Sequence, residues 1–360
     1  FKPQGGCIPP AGSPTDLYKN SNFPDGNVVE KGAAGHQLRS STTRNLKTCP
    51  PIFTACQNPS DMGDFNTGNT AITATSLDVT ATERDSLINW SRGLDVNDPT
   101  EKPGNTATNM RPSVHGDIVH SRPVAINFGT DSSPKVVVFY GGNDGVFRAI
   151  NGNRSASIGS TAPGQELWSF MPPEFYKSLK RLRSNSPQVK FKIITAPDAL
   201  AKPYGLDGAV TAHYDGSDAW IYTTMRRGGR VLYAFDVDVT DPSDIRLKWK
   251  RGCPNKSNDT DCSSGFDGIG ETWSQPQVFK ASGYNSGNKP LLIMGGGHDT
   301  CEDTDPNTCT ASSKGRKIYV LDADNGSLRK TFDTDRPVIA DVFVVPDLST
   351  GLAKYAYTAD

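Results

Sequence analysis

The sequence predicts an all-β chain folded as a β-propeller, with an irregular N-terminal segment and few short helices. Three observations predict it. One strand-like phrase recurs: Val146-Phe147-Arg148-Ala149-Ile150-Asn151, Val231-Leu232-Tyr233-Ala234-Phe235-Asp236 and Lys317-Ile318-Tyr319-Val320-Leu321-Asp322 stand 85 and 86 residues apart. A strand-borne repeat at a constant interval is the mark of radially repeated sheets. Each copy adjoins a turn rich in residues that tolerate positive φ: Asn143-Asp144-Gly145, Gly228-Gly229 and Asp324-Asn325-Gly326. Both faces of each copy are largely apolar, with Phe147, Ala149, Leu232, Ala234, Ile318 and Val320 on one and Ile150, Phe235 and Leu321 on the other. A strand buried on both sides reads this way. A β-sandwich with similar hairpins is the bland alternative, and the constancy of the interval argues against it.

Residues 1–113 are read as an irregular segment with one short helix, packed on the propeller or leading into it. Residues 1–70 are rich in Pro, Gly and Asn without sustained periodicity, although Asn22-Phe23-Pro24-Asp25-Gly26 and Val28-Val29 suit a turn and a short strand. Residues 83–93 predict a helix with Thr82 as N-cap, Asp85 completing an imperfect capping box, and Gly93 ending it. Residues 94–113 read as a polar linker.

Residues 114–360 read as three blades and the start of a fourth, a fragment of a longer domain. Each blade opens on a Pro-Val strand: Ser121-Arg122-Pro123-Val124, Ser274-Gln275-Pro276-Gln277-Val278 and Arg336-Pro337-Val338, with Asp207-Gly208-Ala209-Val210-Thr211 departing from the pattern. The phrase from His115 to Val124 reads as a strand, which sets His115 and His120 on opposite faces. After the repeat comes a strand with an aromatic: Trp168, Trp249, then Lys330 where a Trp is expected. Residues 173–182 predict a surface helix between blades, with Lys177, Lys180, Arg181 and Arg183 as its solvated face.

With 35 Gly, 26 Pro and 21% charged residues among 360, the composition suits a turn-rich β protein. A net charge of −1 gives no footing for nucleic acid or an anionic membrane. No apolar run approaches the ~20 residues of a membrane span, so no membrane insertion is expected. Phe1 is followed by polar, Pro-rich sequence, and the start reads as a mature or trimmed end.

Six of seven cysteines fall in close pairs in polar, turn-rich stretches: Cys49 with Cys56, Cys253 with Cys262, and Cys301 with Cys309. Such loops have no core of their own, and disulfides would staple them. This places the chain in an oxidising compartment. Cys7 is the odd one, with Cys49, Cys56 or a thiol beyond this sequence as its candidate partners. No tight Cys-x-x-Cys spacing suggests zinc.

Several phrases, in order from about residue 17 to the end, resemble the PilC/PilY family of type IV pilus tip and biogenesis proteins. They are Asn22-Phe23-Pro24-Asp25-Gly26, Val28-Val29-Glu30-Lys31-Gly32, Leu87-Ile88-Asn89-Trp90-Ser91-Arg92-Gly93, Gly116-Asp117-Ile118-Val119-His120-Ser121-Arg122-Pro123-Val124, Tyr140-Gly141-Gly142-Asn143-Asp144-Gly145 and Thr272-Trp273-Ser274-Gln275-Pro276. The resemblance implies the C-terminal propeller of a large secreted protein, reached through the periplasm and displayed at the pilus tip or cell surface. It implies binding rather than catalysis: promotion of pilus assembly against retraction (and so a part in twitching motility), contact with minor pilins, and adhesion to host cells or abiotic surfaces. It also raises calcium, held in the family by an Asp-rich loop late in the propeller. Of that loop only Asp347, Ser349 and Gly351 keep the pattern here, as weak metal candidates. The acidic loops holding Asp259 and Asp261, and Asp299, Glu302, Asp303 and Asp305, read as solvated stretches pinned by their cysteines. Asp322-Ala323-Asp324-Asn325-Gly326 reads as a turn.

Two other functions fit the blade phrase. One is a quinoprotein-like dehydrogenase propeller with pyrroloquinoline quinone and calcium. Its signature of adjacent cysteines is missing, as are a haem-attaching Cys-x-x-Cys-His and a Gly-x-Ser-x-Gly elbow. The other is a generic secreted ligand-binding propeller. The expectation is a non-enzyme with no catalytic residue.

Overall fold

The computed structural model describes residues 33–40, 43–94, 110, 114–189, 199–303, 309 and 313–360. Cys7, Asp305, the 22–32 phrases and most of the 94–113 stretch lie outside them. The described residues form three helices, α1 (Ala33–Ser40), α2 (Ala81–Ser91) and α3 (Tyr176–Ser184), and sixteen strands. Two short strands come first, β1 (Leu46–Thr48) and β2 (Gly63–Asp64).

The remaining strands are propeller blades. Blade one is β3 (Val124–Asn127), β4 (Val136–Gly141), β5 (Phe147–Asn151) and β6 (Glu166–Phe170); blade two is β7 (Val210–Tyr214), β8 (Ala219–Thr224), β9 (Arg230–Val237) and β10 (Ile245–Cys253). Blade three is β11 (Gln277–Phe279), β12 (Leu291–Gly295), β13 (Lys317–Asp322) and β14 (Leu328–Asp333), and a fourth sheet holds the hairpin β15 (Phe343–Pro346) and β16 (Ala353–Tyr357). Every blade is an antiparallel meander whose neighbours in sequence are neighbours in space. The first strands of successive blades lie against one another, β3 on β7, β7 on β11 and β11 on β15. Val210 N–H donates to the Arg122 carbonyl and the Thr211 hydroxyl to that of Pro276, which ties the inner strands of successive blades.

The recurring phrase is the third strand of each blade, paired on both sides. Phe147, Ala149, Trp168 and Phe170 of blade one pack on Tyr233 and Phe235 of blade two, with the Phe147 and Phe235 rings stacked at 5.5 Å. The other face of β9, Leu232 and Ala234, packs with Trp249 on Leu292, Met294, Tyr319 and Leu321 of blade three. The outer-strand tryptophans reach forward. Trp168 Nε1 donates to the Pro242 carbonyl in the next blade's outer turn, and Trp249 Nε1 to Ala323 one blade later. Gly326, at φ +67°, is required there, because a Cβ would lie 2.5 Å from the Trp249 ring. Lys330 takes the third equivalent position and is exposed.

Four sequence expectations change. The segment from His115 to Ser121 is not a strand: Ile118 and Val119 are both exposed, the Ser121 hydroxyl accepts the Gly141 N–H, and Pro123 has none to offer. Ser274 accepts the Gly295 N–H in the same way in blade three. The phrase Arg336-Pro337-Val338 precedes its strand, which begins at Phe343. Helix α2 starts earlier than expected, because Thr80 and Glu83 make the complete capping box that Thr82 and Asp85 do not. Finally, the N-terminal segment enters the sheet. Strand β1 pairs in parallel with β6 and antiparallel with β2, widening blade one to six strands. Strands of two or three residues carry no readable alternation.

Candidate functional site

An antiparallel meander puts its second-to-third turns and its crossovers to the next blade at one end. Here that end carries 142–146, 225–229 and the described residues of 296–316, and the crossovers 171–189 with 199–209, 254–276 and 334–342. Backbone bonds fix these loops to one another, among them Glu271 N–H to the His298 carbonyl and Gly315 N–H to that of Gly268.

Two polar clusters occupy this end. The first is buried over blade one. Arg44 grips Glu166 with Nε at 3.0 Å and Nη2 at 2.8 Å, and Arg148 pairs with Asp144 and stands 3.6 Å from Glu166. Burial alone would raise both carboxyls, but Arg148 holds Asp144 and Arg44 holds Glu166 below the usual range. His115 joins them at 2.9 Å from the Tyr140 hydroxyl, its pKa pushed down to about 4 by burial and the Arg148 charge. Two guanidinium groups and two carboxylates make a neutral lock between the N-terminal segment and blade one.

The second cluster is half open. His120 Nδ1 lies 2.6 Å from Asp207, which also accepts from Asn143 Nδ2 at 3.2 Å. Arg226 and Arg227, side by side on the β8–β9 turn, place their guanidinium carbons 3.8 and 4.8 Å from the centre of the Trp273 ring. Trp273 Nε1 donates to Glu271, and the His298 ring lies 4.9 Å away. Asp303 stands 3.7 Å from Arg227 and 3.8 Å from His298. Burial raises Glu271 and lowers His298. This rigid array of charge and aromatic surface is suited to binding.

Two of the three cysteine pairs lie at this end. Cys253–Cys262 and Cys301–Cys309 are joined in loops of this same end, while Cys49–Cys56 lies in the core between blades one and two. Buried Arg230 donates to the carbonyls of Ile269, Asn255 and Asn258 and to Asp259, holding the 253–262 loop from below. On α3, Arg181 is not merely solvated: it donates to the carbonyls of Pro187, Leu200 and Ala201.

The calcium candidates sit at the opposite end, in the β15–β16 turn. One Asp347 oxygen accepts from the Ser349 N–H and hydroxyl, the other faces Lys354 at 3.8 Å, and Gly351 N–H closes the turn. Calcium needs roughly 6–8 oxygens, and a single carboxylate beside a lysine does not fit it. Among the described residues, the two groups of three close metal-type donors each contain both sulfurs of a disulfide, so neither offers a thiolate.

Sequence reasoning missed Arg226, Arg227, Trp273, Asp207 and Glu271 as a set, because they come from three separate crossovers and turns. The adjacent arginines before Gly228-Gly229 were the one local signal.

No protein-family model matches the chain. It is 27% identical over 276 residues to a type IV pilus biogenesis factor PilY1 homolog of Xylella fastidiosa strain Temecula1, covering 68% of this chain and 19% of that protein. It is 27% identical over 285 residues to the type IV pilus biogenesis factor PilY1 of Pseudomonas aeruginosa strain UCBPP-PA14, covering 70% and 20%. The chain thus spans about a fifth of the length of these curated relatives. Among solved structures it is similar to the Pseudomonas aeruginosa PilY1 C-terminal domain, with a TM-score of 0.38, 20% identity, and 62% and 36% of the two chains covered.

Proposed function

We infer that this chain, a PilY1-type one by its sequence relatives, is a propeller segment of a type IV pilus biogenesis protein and acts by binding. The observation that carries the reading is the match to proteins of that name over about 70% of the chain. The finer reading has the end bearing the disulfide loops and the Arg–Trp cluster seated on minor pilins at the pilus tip, outside the cell, with the rest of the molecule free for host or abiotic surfaces. What supports it is physical. Blade faces closed by aromatic packing give a stiff body, the loops at that end are pinned by disulfides and backbone bonds, and the half-buried groups there include two arginines and a tryptophan, types enriched at protein interfaces. No helix among the described residues is long and apolar enough to cross a membrane.

The test is deletion of the gene in piliated cells, scoring surface pili by electron microscopy and adhesion in parallel. The reading expects loss of pili, restored by the intact gene. Normal pili with lost adhesion would leave an adhesin and remove the assembly role; normal behaviour in both would overturn the reading.

A further inference from the structure

We propose that Arg226, Arg227 and Trp273 form a recognition site for carboxylate groups, filled by an acidic segment of a protein partner. The proposal does not depend on the pilus role.

Consecutive side chains normally diverge, yet both guanidinium groups here reach one indole ring. The backbone makes this happen: Arg226 is held at φ +49°, a left-handed conformation that an arginine adopts only at a cost. The groups so placed make only long ion pairs with the fold's own carboxylates. Arg226 Nη1 is buried without a hydrogen-bond partner, 3.8 Å from an Asp207 oxygen that His120 already occupies at 2.6 Å. Arg227 stands 3.7 Å from Asp303, beyond hydrogen-bonding distance. Two planar forks, fixed in orientation by an aromatic ring with donors to spare, match the two oxygens of a carboxylate.

The surroundings select the class of partner. The Trp273 ring already carries Arg226 and Arg227 and has His298 beside it, so it offers no open platform for a sugar ring. That favours an Asp, Glu or C-terminal carboxylate of a polypeptide over an acidic glycan. The chain's net charge of −1 supplies no long-range pull, so recognition rests on this local pair.

The probe is a fluorescein-labelled tetraglutamate peptide, titrated with the whole chain at low ionic strength and read by anisotropy, with tetraglutamine and an oligogalacturonate as comparators. Tetraglutamate is expected to bind, tetraglutamine not, and R226G/R227Q to weaken binding by roughly tenfold or more. Glycine suits the left-handed backbone at 226, so R226G is expected to fold. R226K/R227K keeps both charges and loses the forks, and is expected to bind less well than the native chain. Failure of the native chain to bind tetraglutamate, equal affinity in the arginine variants, or preference for oligogalacturonate would each overturn the proposal.

Discussion

His115 couples the buried lock over blade one to pH. Burial and the neighbouring Arg148 hold it near 4, against an ordinary value of 6.5, with Asp144 pulling the other way. The folded protein therefore favours the neutral ring, and the unfolded chain takes up the proton first as pH falls. Stability from this group is complete above about pH 6.5 and is lost on descent towards pH 4, by about 2 kcal/mol at pH 5. Urea unfolding of H115N is expected to show a flatter pH dependence than the native chain; equal slopes would exclude His115 as the cause. The tryptophans make a second contrast at this scale. Ala323 accepts from both Trp249 and Tyr222, whereas Trp168 is the one described donor to Pro242. W249F is expected to cost about 1 kcal/mol and W168F about 2, because only the second leaves a buried carbonyl unpaired. Equal urea midpoints would refute that ranking.

At the scale of elements, the loop from Cys253 to Cys262 has two restraints, its disulfide and Arg230 beneath it. C253S/C262S is expected to destabilise by roughly 2–3 kcal/mol in the chain-entropy view, and limited proteolysis should cut first within the loop. If cleavage instead began elsewhere, Arg230 would be the dominant restraint. The third strand of each blade was legible in the sequence because burial on both faces demands apolar residues throughout, as in β9 from Val231 to Phe235. Strands β1 and β2 were not, being too short for a period. The stretch from His115 to Ser121 misled because its Ile118 and Val119 look like strand residues although the structure exposes both. The half-open cluster was illegible for another reason: His120 meets Asp207 from 87 positions away, and spacing along a chain does not announce such meetings.

At the scale of the whole molecule, protection is graded across the sheets. Strand β9 is paired on both sides and buried on both faces, while β16 has one neighbour and exposes Tyr355 and Tyr357. Amide hydrogen exchange should be slowest in β9 and fastest among strands in β16. Comparable protection in the two would mean that β16 is covered in solution.

The forward reach of the outer tryptophans gives the body a polarity like tongue-and-groove boarding. Blade two has both parts, the Pro242 carbonyl that receives Trp168 and the Trp249 that enters the Ala323 turn. A copy of that blade spliced in tandem would find its groove and offer its tongue, so whole-unit duplication could change blade number with one adjustment: a glycine like Gly326 where the copied turn, 238–244, has none. A cut between a tryptophan and its receiving turn would leave an indole N–H facing no acceptor, which makes these joints the poorest places to divide the chain for expression or for grafting onto another ring.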